Sequence, residues 1–155
     1  MRPVTAEPME PLSASEEALV RALGRVIIVL PKLLDHDLRE RAGISLTDYS
    51  ILMHLSEAPD RQLRMSELAG RSDLSLSGMT RAVARLEGDG LVKRTRCGED
   101  GRGWYAILTP AGLRRLEEAY PTHLWSTRRR ISEHFAGLDE AEITRALDKV
   151  GCAGD

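Results

Sequence analysis

Long apolar runs, paired cysteines and aromatic residues are all scarce in this 155-residue chain. Its longest strongly apolar run, Val26 to Leu30, falls far short of the ~20 residues a membrane-spanning helix needs, so no membrane partner is expected. Residues 1–14 carry Pro3, Pro8, Pro11, Glu7 and Glu10 but no apolar stretch, and read as a flexible arm rather than a secretory signal. The two cysteines, Cys97 and Cys152, form no Cys-x-x-Cys pair, so neither a disulfide framework nor a zinc ribbon is expected, and a cytoplasmic setting fits. With one Phe, two Trp and three Tyr, the hydrophobic pattern falls to Leu and Ala, which favours a soluble, mainly helical protein.

Catalytic constellations are missing as well. The glycines at 98, 101 and 103 precede no helix and form no phosphate loop, and neither Gly-x-Ser-x-Gly nor His-Glu-x-x-His occurs. An enzyme is therefore not expected, and no cofactor is implied. Asp35-His36-Asp37 invites a metal reading, but adjacent helix positions point in different directions whereas structural zinc wants converging ligands. No metal site is expected.

What is present is a distribution of charge. Between Arg61 and Trp104 stand nine basic and six acidic residues, a local charge of +3 in a chain of −2, leaving −5 for the rest. A basic middle between acidic flanks is what a DNA-contacting module inside a dimerising frame would show.

Helical spacing of Leu19, Leu23, Val26, Ile27, Leu30, Leu34 and Leu38 predicts a long first helix, capped by Ser13 or Ser15, kinked at Pro31 and stopped at Ala42-Gly43. A second helix starts at Ser45 or Thr47 and ends before Pro59. Arg64 to Ala69 opens a short helix, Ser72 to Ser75 a turn, and Leu76 to Asp89 a further helix, which together make a helix-turn-helix. In the last of these Met79, Val83 and Leu86 share one face, while Ser77, Gly78, Arg81, Ala84 and Arg85 point another way. Recognition helices read the major groove from their N-terminal end, where free amides also attract phosphate. Ser75, Ser77, Gly78, Thr80 and Arg81 occupy that end, with Arg85 one turn on; the bland alternative is a solvated face.

Gly90 ends that helix, Leu91 to Arg94 leads into a strand, Cys97 to Gly103 makes a glycine-rich turn, and Trp104 to Leu108 forms a second strand. Such a β-hairpin beside a recognition helix is a wing. Arg102 near its tip suits a narrow minor groove, and Asp100, two residues earlier, is placed to orient it, unless the pair is an ordinary turn ion pair. Thr109-Pro110 then starts a helix running beyond Pro121 to Phe135, and Leu138-Asp139 to Val150 gives the last one. The expected fold is thus mainly α with a small β-hairpin wing. Its winged helix-turn-helix lobe spans 46–109, and helices over 15–45 and 110–155, with apolar faces still to bury, supply a homodimer interface. Two such chains would set their recognition helices roughly 34 Å apart on a palindromic site.

Met65-Ser66-Glu67-Leu68-Ala69, Met79-Thr80-Arg81, Leu86 to Arg94, Asp100-Gly101-Arg102 and Leu108-Thr109-Pro110-Ala111-Gly112 stand in order, and over Ser15 to Val150 the chain resembles the MarR family. The resemblance implies an obligate dimer knit by its terminal helices, double-stranded DNA as partner, and repression at palindromic operators relieved by a small aromatic or phenolic ligand. Carried over by position, Ser75, Ser77, Gly78, Thr80, Arg81 and Arg85 serve the major groove, Arg102 the minor groove, and Asp100 orients Arg102. Gly78 departs from relatives that carry a larger residue there. An effector pocket implied between the dimerising helices and the lobe would involve His36, Tyr49, Met53, Leu113 and Leu116, for which plain core packing is the competing reading. Two alternatives stay open: a winged-helix sensor of ligand or protein that binds no operator, and a redox-responsive regulator switched at Cys97. The run Arg128-Arg129-Arg130 reads as a solvated or salt-bridged helix face, with phosphate contact as the alternative.

Overall fold

The computed structural model describes residues 10–96 and 103–151. Helix α1, Ala14–Ala42, opens on a capping box in which Ser13 Oγ accepts the Glu16 amide at 3.3 Å and the Glu16 carboxylate accepts the Ser13 amide at 2.7 Å. Pro31 does not interrupt α1, which is one unbroken helix until Gly43, in the left-handed region at φ +62°, stops it. The chain divides into two compact units at the Leu33/Leu34 boundary. Within the first unit no described residue is buried, and Leu19, Val20, Ile27 and Ile28 stand exposed.

The second unit holds the core. Helix α2, Leu46–Glu57, is capped by Ser45, whose Oγ accepts the Asp48 amide at 3.0 Å, and it buries Tyr49, Ile51, Leu52 and Leu55. A 3-10 turn over Pro59–Arg61 carries Asp60 and Arg61 at φ 52° and 55° and swings the chain into a short strand, β1, Gln62–Arg64. Helices α3, Met65–Arg71, and α4, Leu76–Gly88, follow. Strands β2, Val92–Arg96, and β3, Trp104–Leu108, form the expected antiparallel pair, with Arg94 opposite Ala106. The hairpin is not alone: β1 adds to its other side, Leu63 opposite Ala106, giving a three-stranded sheet in the order β1-β3-β2. Three residues are too few for the alternation by which a strand is recognised, which is why the sequence did not reveal β1.

Helix α5, Pro110–Thr127, starts at Thr109, and here the Leu-Thr-x-x-Gly pattern acquires a physical reason. Thr109 Oγ1 donates to the Gly90 carbonyl at 2.7 Å and to the Leu91 carbonyl at 3.0 Å while accepting the Gly112 amide at 3.0 Å. A Cβ on Gly112 would stand 2.1 Å from the Leu91 carbonyl oxygen and 2.8 Å from Leu108 Cδ1, so only glycine lets α5 seat on the loop that ends α4. Pro121 lies inside α5 without ending it. The helical path continues as a π-helical segment, Arg128–Ser132, and a short α6, Glu133–Phe135. Helix α7, Glu140–Gly151, capped by Asp139, buries none of its residues.

Beside the π segment lies the most buried charge among the described residues, Asp37, at 6% exposure. Its carboxylate accepts Arg130 Nε at 2.6 Å, Arg130 Nη2 at 2.8 Å and the hydroxyl of the fully buried Ser126 at 2.5 Å. The Arg130 guanidinium, aided by that hydroxyl, holds the Asp37 carboxyl down to about 2 against the cost of burial. No described helix is long and apolar enough to cross a membrane.

Candidate nucleic-acid interface

Burial sorts the faces of α4. Met79, Ala82, Val83 and Leu86 are buried, seating the helix against the core, while Ser77, Arg81, Ala84 and Arg85 are exposed, as their spacing predicts. The turn ahead of it is built by Asp73 at φ 51°, a conformation aspartate tolerates, and by the Leu74 amide reaching back to the Ala69 carbonyl at 3.0 Å. Ser75 caps α4, its Oγ accepting the Gly78 amide at 3.1 Å. A Cβ on Gly78 would stand 3.2 Å from that oxygen, so the absence of a side chain relieves the cap of crowding. The first turn of α4 carries no acidic residue, leaving the positive end of its dipole uncompensated.

Basic side chains frame this end differently. Arg81 is exposed and has no ion-pair partner among the described residues. Arg85 turns toward α2, where its Nη2 donates to Asp48 Oδ1 at 2.6 Å, a pairing separated by too much sequence to be foreseen. In β2 the Arg94 amide and Nε donate to the Glu87 carboxylate at 3.0 and 2.7 Å, tying the wing strand to the end of α4 and lowering the Glu87 pKa. Arg94 and Arg96 lie 5.9 and 5.4 Å from the centroid of the half-exposed Trp104 ring. The wing-tip residues Asp100 and Arg102, and Cys97, lie outside the described residues.

The effector residues expected from resemblance separate into two groups. Tyr49, Met53 and Leu116 line one cavity of about 360 Å³, together with Ser56, Tyr120 and His123. Leu113 packs against the core, and His36 is exposed; neither lines that cavity. The Tyr49 and His123 rings stack at 4.5 Å. Burial raises the Tyr49 phenol and lowers the His123 imidazole, whose Nδ1 is buried without a hydrogen-bond partner among the described residues. Leu116, Tyr120 and His123 share one face of α5 at successive spacings of four and three, a signal the sequence did hold.

The three members of Asp35-His36-Asp37 diverge. Asp35 accepts the Leu46 amide at 2.8 Å and Arg39 Nε at 2.6 Å, Asp37 is taken by Ser126 and Arg130, and His36 faces outward. The arginine run also splits: Arg130 serves Asp37, while Arg129 and Arg41 lie 5.4 and 3.8 Å from the Trp125 ring centroid.

A helix-turn-helix backed by a three-stranded sheet has many relatives, and comparison decides among them. The model of the MarR family matches residues 42–103. A MarR family transcriptional regulator from Streptomyces coelicolor, crystallised in complex with DNA, superposes with a TM-score of 0.83 at 33% identity, over 91% of this chain and 92% of that one. The chain belongs to the MarR family of winged helix-turn-helix transcription regulators, a family of regulators and not of enzymes. AbsC from the same organism, also a MarR family transcriptional regulator, gives a TM-score of 0.83 at 33% identity over 92% of this chain and 96% of its own. The HTH-type transcriptional repressor YetL of Bacillus subtilis is 32% identical over 105 residues, 68% of this chain. That match spans 62% of YetL's own length. IacR of Pseudomonas putida, another HTH-type transcriptional repressor, is 28% identical over 127 residues, 82% of this chain and 70% of IacR.

Proposed function

We propose that this MarR-family chain is a sequence-specific DNA-binding repressor that acts as a homodimer on palindromic operators and is released by a small aromatic or phenolic ligand. The observation that carries the reading is α4: four buried residues seat it, and a capped, acid-free N-terminal end with Ser77 and Arg81 faces solvent. Ser75, Ser77, Gly78, Thr80, Arg81 and Arg85 would meet the major groove and Arg102, oriented by Asp100, the minor groove. The DNA-bound Streptomyces regulator and the two repressors among the relatives support this.

Dimerisation is supported by what the ends of the chain leave uncovered. Leu19, Val20, Ile27 and Ile28 of α1, and Leu147 and Val150 of α7, are exposed apolar side chains that a second copy would cover. For the effector, the Tyr49–His123 cavity offers an aromatic lining and an imidazole whose charged form burial disfavours, with a buried Nδ1 that no described residue satisfies.

Enrichment of duplexes from a random pool by the full chain, followed by footprinting, tests the operator reading. Two protected half-sites about one helical turn apart, related by a twofold axis, are expected. A pool that yields no common sequence overturns it. Phenol titrations of the enriched complex then test the effector: release by a ligand that Tyr49→Ala no longer answers is expected, and equal release from both proteins contradicts this cavity.

A further inference from the structure

Hydroxyls at the start of α4 are largely engaged by the helix itself. Ser75 Oγ accepts the Gly78 amide and lies 3.2 Å from Ser77 Oγ, and Thr80 Oγ1 donates to the Leu76 carbonyl at 2.8 Å. The first residue of the helix is a hydrocarbon: Leu76 is 57% exposed. A lone exposed leucine is ordinary, but Leu76 is not alone. It lines a groove of about 270 Å³ with Met65, Thr80 and Trp104, and Trp104 is itself 45% exposed. Arg64 and Arg94 line the same groove. An apolar strip edged by cations, at the end of a helix that presents itself to base edges, has the chemistry of one DNA feature. Thymine alone carries a methyl group into the major groove, with its phosphates alongside.

We propose that Leu76 is a specificity-determining residue that reads a thymine through its C5 methyl, with Trp104 closing the groove on the wing side. The inference rests on the operator reading above. Discrimination has two sources. Contact with the methyl removes apolar surface of both partners from water. A cytosine at the same position would instead press its amino donor against a side chain that cannot accept it.

Deoxyuridine differs from thymidine only by the methyl, so it isolates this contact from contacts to sugar or phosphate. In the enriched operator each thymine is replaced singly by deoxyuridine, and binding of the wild type and of Leu76→Ala is followed by competition anisotropy. At one position of each half-site, uracil should weaken the wild type about threefold to fivefold, the order expected for one buried methyl. Leu76→Ala should bind thymine and uracil equally there, while Arg81→Ala should keep the wild-type preference. Because Leu76 is exposed, its truncation leaves the fold in place, checked by an unchanged thermal unfolding curve. Indifference of the wild type to uracil at every thymine overturns the inference and leaves the operator reading standing, as does a uracil penalty that persists in Leu76→Ala. Failure to enrich any operator overturns both.

Discussion

The lobe from α2 to β3 and the helices at the chain's ends draw on the same aliphatic residues and treat them in opposite ways. In the lobe Ile51, Leu52, Leu55, Leu68, Met79 and Val83 are inaccessible to solvent, each worth about 1.5 to 3 kcal/mol relative to exposure. In the first part of α1 and in α7, Ile27 at 71% and Val150 at 70% remain in water. The lobe buries most of its apolar surface within itself, Leu76 and Trp104 excepted, while the first part of α1 and α7 leave theirs in water. A recognition element must hold its shape before it meets DNA, whereas a frame that spaced two such elements would complete itself on assembly.

The largest expected effect tests the first half of that contrast. Leu52→Ala should lower stability by about 2 to 5 kcal/mol, through lost transfer energy and the cavity left behind. Leu147→Ala, on the exposed face of α7, should cost the dissociated chain under about 0.5 kcal/mol. Urea unfolding at dilute concentration measures both, and equal losses would erase the distinction between the regions. Next in size is the second half. Ile27→Glu should raise the dimer dissociation constant about 30-fold or more, as expected for a charge placed among interface apolar groups. Sedimentation equilibrium reads it, and an unchanged constant would remove α1 from the interface.

How much of this was legible in the sequence follows the same division between local and distant causes. Ser45, Thr109, Gly43 and Pro59 act on their own neighbours, so helix boundaries could be inferred within a few residues. Periodicity sorted the buried and exposed faces of α4 correctly. Pairings across the fold were not accessible: Asp37 meets Arg130 93 positions away and Arg85 meets Asp48 at 37. Nothing in a helical run of three arginines says that one of them turns inward, and the π-helical segment that carries it has no composition of its own. His36 entered the effector set through resemblance, yet it faces solvent, whereas His123, at the correct spacing on α5, does line the cavity. The readings of Asp100 and Arg102 rest on their place in the glycine-rich turn and on resemblance.

Arg81→Ala should weaken operator binding by about 1 to 3 kcal/mol, between five- and 150-fold, while changing nonspecific binding less. Anisotropy against specific and scrambled duplexes compares the two, and equal losses on both would reduce Arg81 to a phosphate contact. Smallest is the pH dependence of Asp37. Its folded pKa, about 2, lies below the unfolded value, so its stabilisation is complete above about pH 4 and is lost as pH falls toward 2. With its partner Arg130 partly solvated, the contribution is on the order of 1 to 2 kcal/mol. Thermal unfolding across that window should show a flatter acid limb for Asp37→Asn than for the wild type; identical limbs would place the acid sensitivity elsewhere.

If two copies of this chain hold one specific DNA site, titrating labelled operator with the full chain at two salt concentrations, in the presence of unrelated competitor DNA, should reach saturation at two chains per duplex, resistant to competitor and weakened as salt rises. Binding that competitor abolishes, or saturation at one chain, would contradict it.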